Sequence, residues 1–157
     1  MNNMKKLVFL FLFLPFIVLK AEAQFTITNT STITIADLRS GDWPLRLERI
    51  VKKNDTIYLL TFRDKQYPNV HNISTLKFGD LTQLRYLQQG LTYLMGADDG
   101  TEANYKAFSI KRTDDKALDT KTKKKVVKYT LLCKEEGDVT DIQQNEADAL
   151  VKAIQKL

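Results

Sequence analysis

The chain has one cysteine and one histidine in 157 residues, and these two shortages exclude several kinds of chemistry at once. With Cys133 alone, no intramolecular disulfide can form, so the fold must be held by packing. A metal centre built from His and Cys needs several ligands, and one of each is too few, so no metal and no cofactor are expected. A nucleophilic Cys or Ser wants a positioned histidine base. His71 falls in a predicted loop and Cys133 on the apolar parity of a predicted strand, so the two have no reason to meet. Cys133 reads as a small core residue, and no catalytic residue is assigned.

Charge of one sign is also missing. The formal net charge of +5 falls to about +3 once the three lysines and one glutamate of the first 23 residues are set aside, which singles out no acidic or basic partner. The one apolar run, Leu7 to Leu19, is too short to span a bilayer as a helix. Lys5 and Lys6 precede it and Ala21-Glu22-Ala23 follows it, the order of a secretory signal peptide. Cleavage after Ala23 would release residues 24–157, the length of one domain. No cysteine stands just after the apolar run, so a lipid anchor is not expected. Export to the periplasm or the medium of a bacterium is expected, and export argues against nucleic acid as a partner.

What is present is an alternation of strand and helix signals. Gln24 to Ile35 puts Thr at every second position, a strand with one hydroxylated face. Leu45–Lys53 and Thr56–Arg63 read as a hairpin linked by Asn54-Asp55. A loop, Asp64 to Asn72, leads to a short extended approach at Ser74–Phe78. Asp80 and Gln83 then form a capping box for a helix whose stripe is Leu81, Leu84, Leu87 or Gln88, Leu91, Leu94 and Met95, stopped by Gly96 and the Asp98-Asp99-Gly100 cluster. Asn104–Thr113 and Lys124–Lys134 read as further strands about a charged turn. Gly137-Asp138 is expected to open a second helix, with Thr140 and Gln143 as its capping box and Ile142, Ala149, Leu150, Ala153, Ile154 and Leu157 as its apolar stripe.

The two halves, 45–96 and 104–157, read alike. Gly79-Asp80-Leu81-Thr82-Gln83-Leu84 matches Gly137-Asp138-Val139-Thr140-Asp141-Ile142 in pattern, which suggests a duplicated ββα unit. The expected fold is α+β: one antiparallel sheet of four to five strands with both helices on one face.

Three kinds of surface are candidates for function. The lysine-rich second hairpin carries Lys121, Lys123, Lys124 and Lys125, with Lys111, Arg112, Lys116 and Lys128 nearby. Such a tip suits anionic lipid or acidic polysaccharide, or serves only to solubilise the hairpin and discourage edge aggregation. Trp43, Tyr67 and His71 lie in loops, where a protein partner is commonly anchored. Trp43 beside Pro44 also reads as a plug for one end of the sheet. The exposed sheet face is the third. Adjacent acids, Asp98-Asp99, Asp114-Asp115 and Glu135-Glu136, all fall near turns and select no general acid–base pair. The expected function is that of a small exported, non-catalytic binding or adaptor domain whose partner is an envelope or secreted protein. An inhibitor of a secreted enzyme, or a small carboxylate-dependent hydrolase, is the alternative. Oligomeric state is not readable from the residues.

Overall fold

A computed structural model describes residues 30–53, 55–70, 72–118 and 125–157. The signal segment, the start of the first threonine strand, His71, Lys121, Lys123 and Lys124 lie outside the described residues. The elements run β1 (Thr30–Arg39), β2 (Leu45–Lys52), β3 (Asp55–Arg63), β4 (Ile73–Phe78), α1 (Leu81–Met95), β5 (Glu102–Asn104), β6 (Phe108–Leu118), β7 (Lys125–Cys133), β8 (Val139–Gln143) and α2 (Gln144–Gln155).

The class is α+β, but the single sheet of four to five strands is replaced by two antiparallel four-stranded meanders, β1-β2-β3-β4 and β5-β6-β7-β8. Each is followed by one helix. The helices do not share one face of one sheet. α1 touches β3 and β4 of the first sheet and β5 and β6 of the second, whereas α2 touches β1, β7 and β8, and the helices touch each other.

Period-two alternation explains the inner faces. Leu47, Leu60 and Leu76 stand in one cross-strand row of the first sheet, with Leu45, Phe62 and Ser74 in the next. In the second sheet Ile110, Leu131 and Thr140 form the equivalent row. These rows meet Leu84, Leu87, Leu91 and Leu94 of α1 and Ala147, Leu150, Val151 and Ile154 of α2 in one core. Each of the fully buried leucines contributes about 1.5–3 kcal/mol by removal from water.

The start of α1 follows its sequence signal. The Asp80 carboxylate accepts from Gln83 N at 2.8 Å, and Gln83 Oε1 accepts from Gly79 N at 2.8 Å. The second Gly-Asp does something else, which corrects the expected onset of α2 and the alignment of the two halves. Gly137, at φ = 80°, closes the turn after β7 by donating its N–H to Cys133 O, and the chain continues as β8. The helix begins only at Gln144, where Gln143 N donates to Glu146 Oε2 at 2.8 Å. The first hairpin is also shifted by one residue: Lys52 pairs with Asp55, so the link is residues 53–54, with Lys53 at φ = 53° as primed turns require.

The two sheets are fastened at one corner. Beyond β3, Lys65 N donates to Val139 O at 2.8 Å, and Val139 N donates to the buried Asp64 carboxylate at 3.0 Å. Lys65 Nζ reaches Asp141 at 2.5 Å, and Arg39 pairs with the buried Glu146 at 2.8 Å while donating to Asp141 O.

Candidate functional site

Trp43 and the 64–72 loop, separate in sequence, are brought to one end of the first sheet by Arg63. The buried Arg63 guanidinium lies 4.1 Å from the centre of the Trp43 ring and donates to Asp42 O at 3.0 Å and to Pro68 O at 2.6 Å. It clamps the β1–β2 turn against the β3–β4 loop. Trp43 is 39 % exposed, and Tyr67, Val70 and Ile73 are more exposed still, so this end carries several apolar side chains in water. Arg63 was not marked by sequence reasoning, because nothing local shows that a strand-end arginine will be buried.

Of the lysine hairpin, Lys111, Arg112, Lys125 and Lys128 are the residues whose side chains are described. Lys125 is exposed at the start of β7, opposite Leu118. Lys128 is held by Asp115 at 2.9 Å, which raises the lysine's pKa mainly through that hydrogen bond, against burial. Arg112 faces inward: its Nη1 donates to the carbonyls of Leu94, Met95 and Ala97, and its Nε to Asp114. Asp99 and Asp114 are structural as well. Asp99 accepts from Asp114 N at 2.9 Å, and Asp114 is held below its ordinary pKa chiefly by the hydrogen bond from Arg112. The Cys133 thiol is pushed up to about 12, first by burial and then by Glu136, Asp138 and Asp64, which leaves it protonated and inert at neutral pH.

A concavity that sequence reasoning missed lies beside β4. A groove of about 520 Å³ runs along β4, with Thr75, Leu76, Lys77 and Phe78 as one wall. The turn Tyr105-Lys106-Ala107-Phe108, together with Glu135 and Glu136, makes the other, and Gln83 and Tyr86 of α1 close one side. Its size falls within the range of roughly 300–1,000 Å³ usual for ligand sites.

Its aromatic wall is built from the helix outward. Tyr86 and Gly90 stand four residues apart and share a face of α1. A Cβ on Gly90 would lie 3.0 Å from Tyr105 Cε2 and 3.2 Å from Ile110 Cδ1, so any larger residue there would press the Tyr105 ring outward by a few tenths of an ångström. Tyr105 then stacks on Tyr86 at 5.7 Å and on Phe108 at 4.8 Å between ring centres, and Phe108 meets Phe78 edge-on at 5.9 Å. The turn is braced by Tyr105 N to Phe108 O at 2.8 Å and by Lys134, whose Nζ donates to Tyr105 O and whose N–H donates to Ala107 O. Burial raises the Tyr105 pKa, so the phenol stays neutral over the physiological range.

The rim has both signs, Lys77 and Lys106 against Glu135 and Glu136. Glu135 and Glu136 are neighbours in one turn, and the wall facing them is supplied by β4 and α1, whose lining residues include no carboxylate. The arrangement offers shape, aromatic edges and hydrogen-bonding backbone to a ligand. It lacks, among the described residues, the opposed pair of carboxylates that general acid–base hydrolysis uses. Nor do the described residues contain a His/Cys/Asp/Glu group fit for a metal ion. Comparison with protein-family models, curated proteins and solved structures finds no match for this chain.

Proposed function

We propose that the chain is a small exported binding or adaptor domain without chemistry of its own, and that the groove along β4 is where its partner, an envelope or secreted protein, docks. Export rests on the basic, apolar and Ala-x-Ala order of residues 1–23. Among the described residues, no helix is long and apolar enough to cross a membrane. The observation that carries the binding reading is the rigidity of the Tyr105 turn, locked by Gly90, two ring stacks and Lys134 beside an open concavity. A wall ordered in advance lowers the entropy lost on binding.

A second reading has its own observation. Trp43, Tyr67, Val70 and Ile73 are exposed at one end of the first sheet, and apolar side chains in water there suit an inhibitor that inserts them into a secreted enzyme. Photo-crosslinking separates the two. A benzoylphenylalanine at Tyr86 reports on the groove and one at Tyr67 on the loop end, each in the exported chain in its own host. A discrete adduct from position 86 alone supports the groove, and one from 67 alone supports the inhibitor-like reading. Adducts from neither position refute the binding function.

We also read the two ββββα halves as copies of one unit. The support is their shared order and the buried Tyr58-x-Leu60-x-Phe62 and Tyr129-x-Leu131-x-Cys133 on the third strand of each sheet.

A further inference from the structure

We propose that the groove accepts an extended peptide segment of the partner, paired with β4 as a fifth strand of the first sheet. The inference rests on the groove being the binding site and specifies what enters it.

The edges of the two sheets are not equivalent. β4 pairs with β3 in an uninterrupted register from Arg63–Ile73 to Tyr58–Phe78, and no backbone hydrogen bond to its other side is found among the described residues. β1, the opposite edge, is broken by two register shifts. β5 has only three residues, and β8 is met by Lys65. Among the described residues β4 is therefore the one regular edge whose alternate N–H and C=O groups have no backbone partner, and a strand laid beside it satisfies them.

The groove runs beside that edge. Four residues, Thr75 to Phe78, front it, which at about 3.3 Å per residue gives a bay roughly 13 Å long. With the turns at 105–108 and 135–136 lining the same groove as β4, the occupant proposed is a single extended strand and not the folded sheet edge of a second copy. The aromatic rings argue for a peptide over a sugar. Of the lining rings, Tyr105 is already stacked on two neighbours, Phe78 and Phe108 are buried, and Tyr86 is exposed but stacked on Tyr105, so the groove does not present a row of free stacking platforms. The charges are complementary to a strand of mixed sign. Residues level with Leu76 and Phe78 meet an apolar floor, and flanking acidic side chains meet Lys77 of β4 and Lys106 of the facing turn while basic ones meet Glu135 and Glu136.

The test is selection of a phage-displayed library of random peptides about twelve residues long, twice the span of β4, on the mature chain 24–157. The best peptide is then synthesised with N-methyl groups on alternate amides, in each of the two phases. The expected result is enrichment of peptides alternating apolar and polar residues. One methylation phase is expected to weaken binding about tenfold or more, the equivalent of one to two backbone hydrogen bonds, and the other phase to leave it within about threefold. Ala107→Trp, which fills the groove, is expected to abolish binding. No enrichment, equal loss in both phases, or undiminished binding to the Ala107→Trp chain overturns the proposal. If crosslinks from position 86 persist while the phases do not differ, the groove stands as the site and strand pairing falls. If crosslinks and peptides both fail, the two fall together.

Discussion

Replacing Arg112 by Met is expected to cost about 3 kcal/mol of stability, and the structure gives the reasons. The last carbonyls of a helix have no partner within it, and α1 has no basic residue in its last turn. Arg112 arrives from β6 to supply both donors and charge: its Nη1 lies 3.1, 3.0 and 2.6 Å from the carbonyl oxygens of Leu94, Met95 and Ala97. The same guanidinium grips Asp114 through Nε at 2.8 Å and Nη2 at 3.3 Å, with the two side chains 14 % and 18 % exposed. The pair raises the Arg112 pKa, chiefly through the hydrogen bond to Asp114. Hydrogen bonds to charged groups are worth about 1.5–3 kcal/mol each, and a cation at a helix C-terminus about 0.3–1 kcal/mol. Water replaces part of this, and Lys125 continues to act on Asp114, so the sum is well below five full bonds. Asp114→Asn, which spares the helix carbonyls, is expected to cost about 1–1.5 kcal/mol. The double variant should then cost about 3 kcal/mol in place of about 4.5, because the Asp114 interaction is lost only once. Urea denaturation reads this as a midpoint lowered by roughly 1–3 M for Arg112→Met, at the slopes usual for small domains. Arg112→Lys, which keeps the charge but not the fork, is expected to fall between and remains measurable if the Met variant does not fold. A cost below about 1 kcal/mol for Arg112→Met, or strict additivity with Asp114→Asn, would refute the argument.

Three further outcomes follow from single contacts. Gly90→Ala gains about 1 kcal/mol of helix propensity but drives a methyl against Tyr105 and Ile110, at a cost of about 1–3 kcal/mol. Thermal unfolding is expected to show a net loss of about 1 kcal/mol, and a stabilised variant would mean that the Tyr105 ring is free to move aside. Burial works against the charge on Asp141, yet hydrogen bonds from Lys65 and Thr130 hold its pKa below the ordinary value. Its folded pKa is thus lower than its unfolded pKa of about 3.9, so its contribution is complete above that value and disappears as pH falls through the folded one. Asp141→Asn should flatten the acid limb of a stability–pH curve below about pH 4–5, and an unchanged limb counts against the ion pair. Cys133, 2 % exposed with a thiol at about 12, should resist an aromatic disulfide reagent at about pH 8 and react only at the rate of unfolding. Prompt labelling of the native chain would show that the strand end opens locally.

The contrast between the two helices shows which parts of this fold are written locally. The span of α1 is legible because its signals, Asp80, Gln83, the leucine stripe and Gly96, all act within a turn or two of the residues they affect. The second Gly-Asp carries nearly the same pattern and leads into a strand, because Thr140 and Ile142 alternate correctly to pair with Leu131 and Tyr129 and bury beside them. That pairing decides the outcome, and it depends on β7, not on the segment itself. Partner choice of this kind also separates the chain into two sheets, since period-two alternation marks a face without naming the neighbouring strand.

The groove was illegible for a related reason: its walls come from β4, α1 and two turns, each with an ordinary local role. One trace of it does stand in the sequence. A leucine-rich helix interrupts its own propensity with Gly90, and Tyr86 lies one turn before on the same face, outside the buried stripe of Leu84, Leu87, Leu91 and Leu94. A glycine in mid-helix costs stability, and packing by a group that comes close to it offsets the cost. Here Tyr105 does, settling over the glycine and against Tyr86, and the notch that orders this ring is what gives the groove its fixed wall.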